Sequence, residues 1–211
     1  MDPSRIHYII DKNGKKLLPH QYYDEFKLIS IPMVGKKALI PNWPKKTKTV
    51  VPHYMGQNTG ILTGKINNIT VLDIDIKDDG MKYWNMLMKE HSDIKTPTVK
   101  SPGGSLHFYF KYNKNIPNMN RILIDGKRVG WDIKSDGSII TSPPSLYPDT
   151  RKRYKWLPGK SLDDITILTM PKWLEHYILH HLKLRNVKIL MKENKSIFKS
   201  KKSKKSRRIK K

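Results

Sequence analysis

A mixed α/β (α+β) domain, a sheet flanked by helices, is what this 211-residue sequence predicts. Three observations carry that expectation. Short β-branched runs through the middle of the chain alternate apolar and polar residues, as in "ITVLDIDI" and "SLHFYF". Two other stretches, around residues 81–88 and 171–182, repeat apolar residues at helical spacing instead. Turn residues, chiefly Gly, Pro and Asp, punctuate the intervals, and one domain with a tail fits the length.

Taken in order, the first 50 residues scatter apolar clusters among Pro19, Pro32, Pro41 and Pro44, and a loop-rich segment with short elements is expected. Residues 58–64, "NTGILTG", form a Gly-punctuated approach to the first long strand. In that strand Leu72, Ile74 and Ile76 point one way while Val71, Asp73 and Asp75 point the other. Asp78 and Asp79 then start a helix with Met81, Trp84, Leu87 and Met88 on one side. "PTVKSPGGSLHFYFKY" reads as a strand, a Pro-Gly-Gly turn and a second strand. The second strand sets Ser105, His107 and Tyr109 on one face and Leu106, Phe108 and Phe110 on the other.

"RVGWDIKS" is a further strand, the Asp136-Gly137 turn leads into "SIITSPPS", and "RYKWLP" is a last short one. From Pro171, suited to a first helical turn, Trp173, Leu174, Tyr177, Ile178, His181 and Leu182 mark a helix over residues 171–191 that packs on the body. Residues 192–211 hold 11 Lys and Arg against one acid, the composition of a disordered basic tail.

Charge narrows the partners. Net charge is +24, and outside the tail 31 basic residues still face 17 acidic ones. A basic body suits a polyanion, nucleic acid ahead of a membrane, because no basic amphipathic helix with a wide apolar face stands out. Without cysteine the chain can build neither disulfides nor a thiolate zinc site, so no zinc is expected and any metal must sit on oxygen or imidazole. No stretch reaches the roughly 18–20 apolar residues of a membrane span, and "MDPSRIHYII" lacks the order of a signal peptide. A soluble, intracellular protein is expected. The abundance of Lys, Ile and Asn suggests an AT-rich genome, such as that of a virus or mobile element.

Asp73 and Asp75 set the chemistry. Cα atoms two apart on a strand lie about 6.5–7 Å from each other, so two carboxylates there can share one divalent cation or bracket a pair. Such spacing suits Mg²⁺ in phosphoryl transfer, although a lone Asp-x-Asp on a solvent-facing strand needs no function. Ser105 and His107 can donate to phosphate oxygens beside the Gly103-Gly104 turn, where backbone can approach closely. A third acid, Asp132, again sits between apolar neighbours on a strand. Asp78, Asp79, Asp125 and Asp136 occupy turns or helix starts and read as structural, as do His180 on the surface and His181 in the core.

Taken in order, "VGKKALIPNW", "NTGILTG", "VLDIDI", "TPTVKSPGGSLHFYF", "GWDIKSDGSIITSPPSLYP" and "RYKW" give a chain that resembles the primase-polymerase (prim-pol) domain of the archaeo-eukaryotic primase superfamily, over roughly residues 30–160. The resemblance implies that superfamily's catalytic core, with a sheet like an RNA-recognition motif, within a catalytic domain over residues 1–170. It implies that Asp73, Asp75 and Asp132 are catalytic and bind Mg²⁺ or Mn²⁺, and that Ser105 and His107 contact the phosphates of an incoming NTP or dNTP. "SPPS", residues 142–145, matches a family loop beside the third acid. Gly103, Gly104 and Lys134 complete the expected nucleotide site. Lys36, Lys37 and Lys100, with Lys201, Lys202, Lys204, Lys205, Arg207 and Arg208 in the tail, are expected to contact DNA template and primer.

The implied activity is nucleotidyl transfer to a primer 3′-hydroxyl in DNA replication or repair, with any replicative helicase a separate chain. Two alternatives stay open: a non-catalytic, basic DNA-binding accessory, and a metal-dependent nuclease using the same carboxylates. The tail also fits a nuclear-localisation signal.

Overall fold

The structure, a computed structural model, describes residues 7–49, 58–147, 150 and 152–183. It is an α+β architecture in which the named strands pair antiparallel throughout. The chain begins with a small hairpin, β1 (Ile9–Ile10) and β2 (Lys16–Leu17), followed by helix α1 (Pro19–Glu25). Pro19 presets the backbone of the first turn, and the Gln21 side chain accepts the Leu18 N–H at 2.9 Å. Strands β3 (Ser30–Val34) and β4 (Lys37–Ala38) form a second hairpin, and a 3₁₀ turn follows at Trp43–Lys45.

Residues 7–49 therefore contribute more than loops. These are the short elements expected there, and Tyr22, Tyr23, Ile31 and Met33 on them are fully buried or nearly so. Pro32 disguised the strand, since proline removes a ladder donor. Here Pro32 stands opposite Thr59 of β5 and its carbonyl takes the Leu39 N–H at 3.2 Å, just beyond Met33 and Val34, which pair with β4, so the missing donor falls at the end of the β3–β4 ladder. Residues 58–62 likewise form a buried strand, β5 (Asn58–Leu62), rather than only an approach to one. A β-carbon at Gly60 would displace the Met33 and Ile139 side chains that pack over it.

Next come β6 (Ile69–Ile74), α2 (Gly80–Leu87), β7 (Thr98–Lys100) and β8 (Leu106–Lys111). A hairpin of β9 (Leu123–Ile124) and β10 (Lys127–Arg128) precedes β11 (Trp131–Lys134), β12 (Ile139–Ser142) and β13 (Lys155–Trp156). Residues 172–183 form a third helix, α3, within the expected 171–191; residues 184–211, and with them the expected tail, lie outside the described residues. Asp79 is the residue that caps α2, as its position suggested, but its side chain makes no capping bond and its backbone is left-handed.

Two sheets carry the fold. One has the order β11-β6-β8-β7-β13 and the other β12-β5-β3-β4. Alternation on β6 and β8 sends Leu72, Ile74, Phe108 and Phe110 to a core shared with Trp84, Trp131, Leu174 and Ile178, so α2 and α3 cover that face. Trp131 also donates its indole N–H to the Gly80 carbonyl at 2.8 Å. Val71, Val99 and Tyr109 leave by the opposite face into a second core with Tyr22, Tyr23, Ile61 and Ile140. The face that alternation marked as polar is therefore largely roofed by the second sheet and α1.

The chain crosses between sheets twice near one point, from β5 to β6 and from β11 to β12. Asp136 joins the crossings: its Oδ1 accepts the Lys65 N–H at 2.8 Å and its Oδ2 the Tyr112 hydroxyl at 2.6 Å. That is the structural role expected of a turn aspartate.

Candidate active site

Strand register assembles the site. Asp73 on β6 pairs with Asp132 on β11 on one side and with His107 on β8 on the other. Residues directly opposed on neighbouring strands share a face, so Asp132, Asp73 and His107 form one row across three strands. The next residues on that face are Asp75, just past the end of β6, and Ser105, just before β8. Ser105 Oγ donates to Asp75 Oδ1 at 2.9 Å.

Each acid has a distinct environment. Asp73 is part-buried, with Oδ1 3.5 Å from His107 Nε2. Burial pushes its carboxyl up, and the neighbouring His107 partly offsets that. Burial pushes the His107 imidazole down, opposed by Asp73 and reinforced by Lys36 and Lys134, which favours the neutral ring. His107 Nδ1 is buried and has no hydrogen-bond partner among the described residues, so the ring carries an unused polar atom at the site. Asp132 accepts from Lys134 Nζ at 2.8 Å and from the Arg121 backbone N–H at 2.7 Å. Among the described residues no three His, Asp or Glu side chains stand grouped to hold a metal ion. The carboxylates share a face, but each is turned to a protein partner.

The glycine turn is built as its sequence suggests. Ser101 N–H bonds the Ser105 carbonyl at 2.9 Å, Gly104 N–H the Ser101 carbonyl at 2.9 Å, and Ser105 N–H the Ser101 Oγ at 3.0 Å. Gly104 has φ +97°, and a β-carbon there would strike Ile76, the neighbour of Asp75. The turn thus leans on the chain segment that carries the second acid.

Several positioning residues escaped the sequence reading. Asp75 is held through its backbone N–H to the Gly130 carbonyl at 2.6 Å, while Gly130 N–H bonds the Asp78 carbonyl at 3.0 Å. A side chain at Gly130 would collide with the Lys77 carbonyl, so this glycine lets the two segments touch. Its place two residues before Asp132 was the available signal. Arg121 pairs with Asp78 at 3.0 Å and positions Asp132 through its backbone; nothing in the sequence marked it. In "SPPS", Ser142 Oγ bonds the Tyr109 hydroxyl at 2.9 Å and Ser145 Oγ takes the Thr59 N–H at 2.9 Å, so these serines tie the second sheet to the site strand β8 and to the connection that follows β12.

Of the expected DNA contacts, Lys36 and Lys37 lie exposed at the β3–β4 turn, with Lys36 Nζ 5.5 Å from the centre of the Tyr147 ring. Lys201, Lys202, Lys204, Lys205, Arg207 and Arg208 lie outside the described residues. No helix among the described residues is long and apolar enough to cross a membrane.

Comparison with known families adds one finding: the model for Prim-Pol, described as bifunctional DNA primase/polymerase, N-terminal, matches residues 20–173. That span contains Asp73, Asp75, Ser105, His107, Asp132 and Lys134. No curated protein matches the chain.

Proposed function

This chain belongs to the Prim-Pol family, whose function is of the DNA primase/polymerase type, and from that premise we propose that it is a nucleotidyltransferase extending a primer 3′-hydroxyl on a DNA template. The observation that supports this best is the row Asp132, Asp73 and His107 across three adjacent strands, with Asp75 and Ser105 next on the same face. Carboxylates beside phosphate-binding groups are what phosphoryl transfer needs.

The donor set fits Mg²⁺ or Mn²⁺, since it offers carboxylate oxygens and the chain has no thiolate. Asp73, Asp75 and Asp132 would hold the ions, with Asp75 released from Ser105 and Asp132 from Lys134. When bound, a divalent cation neutralises phosphate charge and makes the 3′-hydroxyl a better nucleophile. The chain's own groups do the rest. Ser105 Oγ and the N–H of the His107 ring donate to triphosphate oxygens of the NTP or dNTP, and the Gly103-Gly104 turn admits them close to backbone. Lys134, freed from Asp132, supplies positive charge toward the same phosphates. The second sheet roofs the inner end of the face and limits water there.

Incorporation of labelled nucleotide on a primed template, with Mg²⁺ or Mn²⁺, tests the proposal. Asp73→Ala should abolish extension while leaving DNA binding nearly intact, and retained extension sinks the assignment. Template degradation without incorporation would favour a nuclease. Binding without either activity in the wild type would favour a non-catalytic accessory.

A further inference from the structure

Asp132 faces a break in the chain segment that runs beside it. Residues 119–122 lie along β11, where Met119 and Ile133 exchange both backbone bonds, at 2.8 and 2.7 Å. In an uninterrupted antiparallel ladder the Trp131 carbonyl would next take the N–H of residue 121. It takes that of Ile122 instead, at 2.9 Å. One extra residue is therefore inserted opposite Asp132, and Asn120 and Arg121 form a bulge. The N–H that the bulge frees, that of Arg121, goes to Asp132 Oδ1 at 2.7 Å.

Arginine is an unexpected residue for this position. Arg121 has φ +53°, a left-handed conformation that glycine adopts without steric cost and arginine rarely does. A glycine would present the same N–H. What it would lack is the guanidinium, which reaches Asp78 Oδ2 at 3.0 Å. The Asp78 carbonyl accepts the Gly130 N–H at 3.0 Å, and the Gly130 carbonyl accepts the Asp75 N–H at 2.6 Å. A continuous path thus runs from Asp132 through Arg121, Asp78 and Gly130 to Asp75.

Stability does not account for this arrangement. The side chains of Arg121 and Asp78 are 53% and 38% exposed, and an exposed ion pair contributes little to folding. Backbone strain kept for so small a gain is the mark of a functional constraint. The two oxygens of Asp132 also differ, since Oδ1 is fixed by backbone while Oδ2 is held by Lys134 Nζ at 2.8 Å, on a side chain that can swing away. One oxygen is anchored and the other is exchangeable.

We propose that Arg121 is a positioning residue for the cation site: its N–H anchors Asp132, and its ion pair with Asp78 locks the bulge to the segment that follows Asp75, so that these two carboxylates are held at one separation. This rests on the reading of Asp73, Asp75 and Asp132 as cation ligands. The test measures Mn²⁺ affinity of the full chain, with the metal alone, by electron paramagnetic resonance of the free ion. Arg121→Gln and Asp78→Asn should each weaken binding by about tenfold or more, the effect of removing partners that orient metal ligands. The combined variant should be no weaker than either single one, because both act through one contact. Arg121→Lys, which keeps the charge, should retain most of the affinity. In primer extension kcat should fall with the nucleotide KM unchanged, and thermal midpoints should stay close to wild type.

Unchanged Mn²⁺ affinity in Arg121→Gln and Asp78→Asn would overturn the proposal, and so would a lowered thermal midpoint with affinity intact. Asp132→Ala separates this failure from that of the cation reading. If Asp132→Ala loses Mn²⁺ affinity and Arg121→Gln does not, the positioning role fails and the cation site stands. If Asp132→Ala binds as wild type does, or wild type binds no Mn²⁺, both fail.

Discussion

Asp73 stands directly opposite His107, with 3.5 Å between its Oδ1 and the imidazole Nε2. This contact couples the carboxylate row to the proposed triphosphate pocket, and burial disfavours the charged form of both partners. A neutral ring here still has one N–H to give.

Removing that donor should act on nucleotide affinity. A hydrogen bond to a charged group contributes about 1.5–3 kcal/mol, so His107→Ala should raise the nucleotide KM about ten- to a hundredfold. Steady-state extension kinetics at varied nucleotide concentration measure it. A fall in kcat with KM unchanged would instead assign His107 to orienting Asp73.

Tyr109 joins the two sheets by its hydroxyl contact to Ser142 Oγ at 2.9 Å, two residues along β8 from His107. Tyr109→Phe keeps the ring packing and deletes this buried bond. A loss of about 1–2 kcal/mol in unfolding free energy is expected, read by chemical denaturation. An unchanged midpoint would mean that packing alone holds the roof.

Asp136 predicts an acid response. The Tyr112 hydroxyl and then the Lys65 backbone N–H hold its carboxyl below the ordinary range. A folded pKa below the unfolded value stabilises the protein at pH above the unfolded value, and that stabilisation is lost as pH falls through the folded pKa. Thermal midpoints of wild type and Asp136→Asn should differ most near neutrality, and the difference should shrink as pH falls below the ordinary aspartate value of about 3.9 and vanish once pH has passed the lowered folded value. A pH-independent difference would mean that the charge of Asp136 contributes nothing.

Deleting residues 192–211, which carry 11 basic residues, should weaken template binding and reduce its salt dependence. Anisotropy titrations at several salt concentrations check this. An identical slope in the truncated chain would show that the tail is idle.

Much of the site could be read without coordinates. Alternation is a local property of a strand, so it put Asp73 with Asp75 and Ser105 with His107 before any partner strand was known. Helical spacing located α2, and the Ser-Pro-Gly-Gly run located the turn beside Ser105. Two residues that usually break strands lie inside strands here. Pro32 hid β3 and Gly60 hid β5, because each residue is usually a strand breaker and is accommodated here by its neighbours.

What the sequence determined by itself was which residues share a strand face and which chemistry they can offer. Tertiary structure alone decided that Asp132 lies beside Asp73, that a second sheet roofs their face, and that Lys155 opposes Lys100. The reason is physical: side-chain alternation depends on neighbouring residues, but cross-strand contact depends on register and topology, which only packing of the whole chain selects.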